Sequence, residues 1–133
     1  MPVIAEALQT PNEQEWLDLE KLYQDYPEHF RVEELRQLLS ANPATRLYVA
    51  RFNDRILGAL TLTVSGNNHT LDHLCVRTVT RRRGVARDLL RQMLAAAEGS
   101  SFLLNSCREE ATLEALLNPF GFVRQGNQFL RTP

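Results

Sequence analysis

The largely apolar run Val3 to Leu8 predicts a first strand, and apolar residues then take helical spacing at Trp16, Leu19, Leu22 and Tyr23. Thr10-Pro11-Asn12-Glu13 supplies a capping-type start to that helix, and Tyr26-Pro27 ends it. Val32, Leu35, Leu38 and Leu39 repeat the helical spacing between Val32 and Ala41, after which Asn42-Pro43 closes the second helix. The period then becomes that of strands. Leu47 to Phe52 and Ile56 to Val64 flank Asn53-Asp54-Arg55, which reads as a hairpin with a short polar turn. Ser65-Gly66-Asn67-Asn68 turns the chain again and Thr70 to Val76 forms the next strand. Val85, Leu89, Leu90, Met93 and Leu94 stripe a third helix that Gly99 stops. Ser101 to Asn105 is a short buried strand and Glu109 to Leu117 a fourth helix, and strands at Phe122-Val123 and Phe129-Leu130 pair around Gly126-Asn127. This order predicts an α+β domain on a mixed sheet, spanning residues 1–133 as one unit.

Composition changes that picture little, and charge changes it locally. The chain has 133 residues, 44% hydrophobic and 23% charged, with a formal net charge of −1. That balance argues against a general nucleic-acid binder. Yet Arg77, Arg81, Arg82, Arg83, Arg87 and Arg91 lie close together in the sequence. Cys75 and Cys107 are too few and too far apart for a disulfide framework or a zinc knuckle, so reduced thiols in a cytoplasmic protein are expected. The N-terminus lacks a basic region followed by a long apolar run, and no segment reaches membrane-spanning length.

The local basicity falls between the strand ending at Val76 and the helix beginning near Val85. A strand end, a basic turn and small residues at Gly84 and Ala86 let backbone N–H groups at a helix start point outward, where the helix dipole favours phosphate. The plain alternative is a solvated basic turn. Leu71-Asp72-His73-Leu74-Cys75-Val76, followed by Arg81-Arg82-Arg83-Gly84-Val85-Ala86 and a late Gly121-Phe122, resembles the signature of the GCN5-related N-acetyltransferase (GNAT) superfamily. The resemblance implies a mostly antiparallel, mixed sheet of six to seven strands with four helices, and acetyl-CoA or CoA as the cofactor. The backbone of Leu74, Cys75 and Val76 would pair with the pantetheine arm. Thr80, Arg81, Arg82, Arg83, Gly84, Val85, Ala86 and Arg87 would surround the pyrophosphate, and Arg108, Glu109 and Glu110 would meet the far half of the cofactor.

Tyr48-Val49-Ala50-Arg51-Phe52-Asn53, with Val76-Arg77 and Val79-Thr80-Arg81-Arg82-Arg83-Gly84-Val85, is similar to the PanZ (PanM) branch of that superfamily. What this implies is a regulator rather than an ordinary transferase. It would bind the aspartate 1-decarboxylase zymogen (PanD) of pantothenate synthesis, promote the self-cleavage that makes its pyruvoyl group, and modulate the mature enzyme. Arg51 and Asn53, with the Arg81 to Arg87 region, are the expected partner contacts; an ordinary exposed turn is the alternative for the hairpin.

No catalytic residue is assigned. Where many GNAT transferases carry an Asn near the start of the fourth helix and a later Tyr that protonates the thiolate, this chain holds Glu110 and Leu117. Asp72 and His73 lie on the cofactor strand, and strict alternation sends them to opposite faces. His29 and His69 read as surface groups, Cys75 as an unreactive thiol, and no metal cluster is found. The second functional reading is an active N-acetyltransferase working on a small-molecule or protein amine, by positioning and oxyanion stabilisation alone.

Overall fold

The computed structural model describes residues 3–24, 31–77, 84–97, 99–105 and 110–133, without the side chains of 105 and 110–113. In chain order the elements are β1 Ile4–Leu8, α1 Glu13–Gln24, α2 Val32–Ala41, β2 Thr45–Phe52, β3 Arg55–Ser65, β4 Asn68–Val76, α3 Val85–Ala95, β5 Ser101–Asn105, α4 Glu110–Leu117, β6 Val123–Gln125 and β7 Gln128–Arg131. A 3-10 turn over Asn118–Phe120 follows α4. The strands form one sheet in the order β1-β2-β3-β4-β5-β7-β6. All neighbours are antiparallel except β4 and β5, which α3 joins as the crossover a parallel pair requires. Seven strands and four helices match the mixed α+β sheet expected from the sequence.

Each hairpin follows from its turn residues. Asn53 and Asp54 both take positive φ, 50° and 64°, and make a two-residue loop between the paired Phe52 and Arg55. That geometry matches the twist of the strands it joins, and Asn and Asp tolerate it better than most residues. Gly66-Asn67 closes β3 onto β4, and Gly126-Asn127 closes β6 onto β7.

Alternation along the strands divides the interior in two. On one face Ala50, Leu60, Leu62, Leu71, Phe102 and Phe129 pack with Val85, Leu89, Leu90 and Met93 of α3. On the other, Leu47, Val49, Ile56 and Ala59 pack with Leu19, Leu22, Tyr23 and Leu35 of α1 and α2. The edge strand β1 is held from α3 as well. Gln92 accepts the Ala5 N–H and donates to the Val3 carbonyl, both at 2.8 Å, as a neighbouring strand would.

His69 departs from the sequence reading. β4 begins earlier than expected, at Asn68, so His69 pairs with Val64 and Phe102 inside the sheet instead of sitting in an exposed turn. Its ring lies 5.0 Å from that of Phe102, and burial holds the imidazole below its ordinary value.

α1 starts with a reciprocal capping box: Asn12 Oδ1 accepts the Glu15 N–H, and Glu15 Oε1 accepts the Asn12 N–H, each at 2.8 Å. One turn further, the buried Asp18 carboxylate accepts from Arg55 Nη2 at 2.9 Å, from the Ile56 N–H at 3.2 Å and from Gln14 Nε2 at 3.2 Å. Burial alone would raise its pKa, but Arg55, the Ile56 amide and Gln14 together outweigh that and hold it below the usual value. A carboxyl depressed on folding contributes stability above the unfolded value of 3.8, and that contribution is lost as pH falls through the folded value. Asp18→Asn is therefore expected to cost about 1–3 kcal/mol near neutral pH, with the gap from wild type closing in acid. Urea titrations of both proteins at neutral and acidic pH measure it, and a gap independent of pH would contradict the assignment.

Candidate cofactor site at the open edge of β4

β4 and β5 share a ladder over only four residues of each strand, Asn68 to Leu71 with Ser101 to Leu104. β5 continues one residue further along β7, to Asn105, and among the described residues no strand pairs with β4 on that side beyond Leu71, although β4 runs on to Val76. The β3 side explains which backbone groups this leaves open. The Arg77 N–H donates to the Leu57 carbonyl at 2.8 Å, and Ala59 lies opposite Cys75 two residues earlier on the same ladder. Antiparallel pairs exchange hydrogen bonds at every second position, so Cys75 spends its backbone on Ala59. The C=O of Leu74 and the N–H and C=O of Val76 point the other way, to the edge that no described strand pairs. Of residues 74, 75 and 76, for which the sequence suggests ligand pairing, Leu74 and Val76 turn backbone groups to that edge and Cys75 turns its own to β3. Cys75 is buried, with its thiol 3.4 Å from the Leu22 carbonyl.

A bulge sits at the start of this open stretch. Cys75 pairs with Ala59 but Asp72 with Thr61, so two residues, His73 and Leu74, stand opposite Leu60 alone. His73 takes a φ of 55°, in the left-handed region that a histidine seldom enters. Several polar contacts hold it there. Asp72 Oδ1 accepts the His73 N–H at 2.8 Å, the Tyr23 hydroxyl donates to the His73 carbonyl at 2.6 Å, and Thr61 Oγ1 lies 2.9 Å from His73 Nδ1 and 3.2 Å from the Asp72 carbonyl. Asp72 and His73 therefore share the Thr61 side of the sheet, and the opposite-face expectation fails because one extra residue breaks the alternation. Burial first, and the nearby Cys75 and Asp72 second, push the Tyr23 phenol well above its ordinary pKa, so it remains a donor.

Tyr23 and Thr61 were read from the sequence only as members of an apolar helix stripe and an apolar strand. Their polar tips were the available signal, since a buried tyrosine or threonine hydroxyl has to find a partner.

Beyond β4, α3 begins at Gly84, whose φ of 82° suits glycine and whose own carbonyl accepts the Asp88 N–H at 2.9 Å. The N–H groups of Val85, Ala86 and Arg87 precede the first intrahelical donor, the Asp88 N–H, and project from the helix start. Val85 is buried, Ala86 half-buried and Arg87 exposed. Gly58 on β3 lets this helix start lie close to the sheet: a Cβ there would stand 3.2 Å from Val85 Cγ1 and 3.4 Å from Val76 Cγ2. Thr80, Arg81, Arg82, Arg83, Arg108 and Glu109 lie outside the described residues, and Glu110 is described only as the first residue of α4. Leu117, near the end of α4, is wholly buried. Among the described residues there is no grouping of metal-ligating side chains, and no helix is long and apolar enough to cross a membrane.

The hairpin differs from expectation at one residue. Arg51 is not displayed outward: Glu6 on β1 accepts from its Nε at 2.8 Å and Glu15 on α1 pairs with its Nη2. Asn53 and Asp54 at the tip are exposed. Arg51 thus ties β1 and α1 to β2, and the surface offered by the hairpin is its tip.

Residues 2–129 match the family described as acetyltransferase (GNAT) domain, PanZ. The PanD regulatory factor of Escherichia coli K12 is 35% identical over 118 residues, which is 86% of each chain. That of Salmonella typhimurium is 40% identical over 115 residues, 84% of each chain. YhhK from E. coli, described as an N-acetyl transferase and solved in solution bound to coenzyme A, superposes with a TM-score of 0.79 at 30% identity, covering 100% of both chains. The strand that opens between Leu74 and Val76 is thus found in a chain that belongs to the PanZ family of the GNAT superfamily.

Proposed function

We propose that this chain is an acetyl-CoA-binding regulator of aspartate 1-decarboxylase, formed as a single cofactor-binding domain over residues 1–133 and acting in the cytoplasm. The observation that carries the cofactor reading is the open edge of β4, where Leu74 and Val76 present backbone groups to a chain that can pair like a strand. The pantetheine arm is such a chain, because its amides offer a donor and an acceptor at successive points. At its other end the pyrophosphate would meet the N–H groups of Val85, Ala86 and Arg87, with Thr80, Arg81, Arg82, Arg83 and Gly84 completing the turn and Arg108, Glu109 and Glu110 nearby. A relative solved with coenzyme A supports the same reading.

The partner follows from the relatives, which are PanD regulatory factors. The chain binds the decarboxylase zymogen, promotes its self-cleavage to the pyruvoyl form and modulates its activity in pantothenate and CoA biosynthesis. The exposed Asn53 at the hairpin tip is the nearer candidate for contact; Arg51 shapes that tip through Glu6 and Glu15. Leu117 can carry no proton to a leaving thiolate, which favours a binding role over amine acetylation. When bound, acetyl-CoA supplies an activated acyl thioester, and in this reading its abundance is the signal.

Two measurements test this. Unprocessed decarboxylase mixed with the chain should be cleaved faster with acetyl-CoA than without it, followed by intact mass; equal rates in both mixtures would overturn the regulatory reading. Gly58→Ala crowds Val85 by a few tenths of an ångström, a type of overpacking that costs ~1–3 kcal/mol. Displacing the start of α3 should then weaken acetyl-CoA binding on the order of tenfold in calorimetry. Unchanged affinity would remove α3 from the cradle.

A further inference from the structure

The two arginines of the β2–β3 hairpin are held differently by α1. Arg51, on β2, gives its Nε to Glu6 and its Nη2 to Glu15, and its side chain is only 20% exposed. Arg55, the first residue after the turn, is 52% exposed although it too is anchored. Its Nε lies 3.2 and 3.3 Å from the two oxygens of Asp18, and its Nη2 donates to Oδ1 at 2.9 Å. One edge of the guanidinium is therefore fixed on a carboxylate that is itself 3% exposed, and among the described residues nothing pairs with Nη1 at the other end. The same carboxylate accepts the Ile56 N–H at 3.2 Å, so one buried group sets both the backbone beside the arginine and its head. An arginine oriented before it meets a ligand keeps more of each hydrogen bond it forms, because less rotamer freedom remains to be lost. Next to it in the chain, Asn53 and Asp54 stand exposed at the tip with φ of 50° and 64°.

We propose that Arg55, oriented by Asp18, is a contact for the decarboxylase, and that it takes a neutral carbonyl oxygen of the partner's main chain. The inference rests on the partner reading above and adds to it the residue that recognises and the chemistry it recognises. The charges around the hairpin choose the acceptor. Arg51 and Arg55 stand with the carboxylates of Glu6, Glu15, Asp18 and Asp54, two positive charges against four negative. An incoming carboxylate would enter a region already negative in sum and would compete with Asp18 for the same cation. A carbonyl oxygen brings no charge, and a charged donor makes the stronger bond with it. The planar fork explains why the residue is arginine: a lysine has one head, which could not sit on Asp18 and also present a fixed donor at the opposite end. Asp18 is thus a positioning residue and Arg55 the contact.

The test measures the affinity of the chain for the decarboxylase at saturating acetyl-CoA and, separately, the affinity of the free chain for acetyl-CoA. Arg55→Ala should weaken decarboxylase binding by about tenfold or more, the size of a hydrogen bond with one charged member, and leave acetyl-CoA affinity within about twofold of wild type. Arg55→Lys should weaken decarboxylase binding by about fivefold or more. Raising salt from about 50 to about 500 mM should change the ratio between wild type and Arg55→Ala by less than about twofold; a severalfold fall would identify a carboxylate and overturn the acceptor. Asp18→Asn should weaken decarboxylase binding by about fivefold in wild type and by less than about twofold in the Arg55→Ala background. An equal loss in both backgrounds would make Asp18 merely structural and overturn its role. Should Asp18→Asn not fold, Arg55→Lys decides the matter, since wild-type affinity with lysine would show that no fixed fork is required. Unchanged decarboxylase binding by Arg55→Ala overturns the contact while leaving the regulatory reading standing. A wild type that does not bind the decarboxylase brings down both.

Discussion

The unfinished ladder between β4 and β5 is the constraint around which the rest of the molecule is arranged. A parallel pair needs a crossover, and here the crossover contains α3, which packs across the sheet and returns the chain at Ser101 rather than beside Val76. β5 lies between β4 and β7, and at Asn105 only the β7 side remains paired. Backbone N–H and C=O groups withdrawn from water need partners, so a sheet that opens in this way must leave its edge wet or pair it with something that resembles a strand. The bulge at His73 decides what the edge offers. By adding one residue it changes the phase of the pairing, so that the rows before and after it present different atoms to the opening.

α1 carries more of this arrangement than its length suggests. Its first half holds the hairpin, with Glu15 on Arg51 and Asp18 on Arg55 and the Ile56 amide. Its last turn holds the cofactor strand, with Tyr23 on the His73 carbonyl and the Leu22 carbonyl against the Cys75 thiol. Ion pairs at exposed sites contribute little, but Asp18 and Tyr23 are buried groups whose loss would strand partners away from water. The strand that would report a bound cofactor and the hairpin that would meet a partner thus share one rigid support.

Much of this was legible in the sequence, and the misses have a common cause. The Asn53-Asp54 turn and the α2 limits at Val32 and Ala41 are local, whereas the cap of α1 uses Asn12 and Glu15, two residues beyond the Thr10 to Glu13 start expected. The open β4 edge and the turn at Gly84 were found through the motif that surrounds them. The settings of His73 and His69 were misread, and the ion pairs of Arg51 missed, because they are not local. The His73 bulge shows only in the register with β3, the carboxylates on Arg51 lie 36 and 45 residues away in sequence, and His69 is covered by Phe102 from a strand beyond α3. Alternation assumes a regular strand, and one inserted residue defeats it.

The same geometry bears on whether the site is built for chemistry. Tyr23 is close to the cofactor strand, as an acid for a departing thiolate would have to be. Its proton, however, is committed to the His73 carbonyl on the α1 side, and burial keeps it from ionising. Returning a proton to the opening would require rotating the phenol out of a packed core and releasing the bulge it holds. Thr61 likewise turns its hydroxyl to His73 and the Asp72 carbonyl. The polar side chains around the bulge are thus spent on fixing backbone, and backbone is what faces the ligand. Among the described residues, the bulge is a place where side chains fix the backbone and the backbone is left to orient what lies against it.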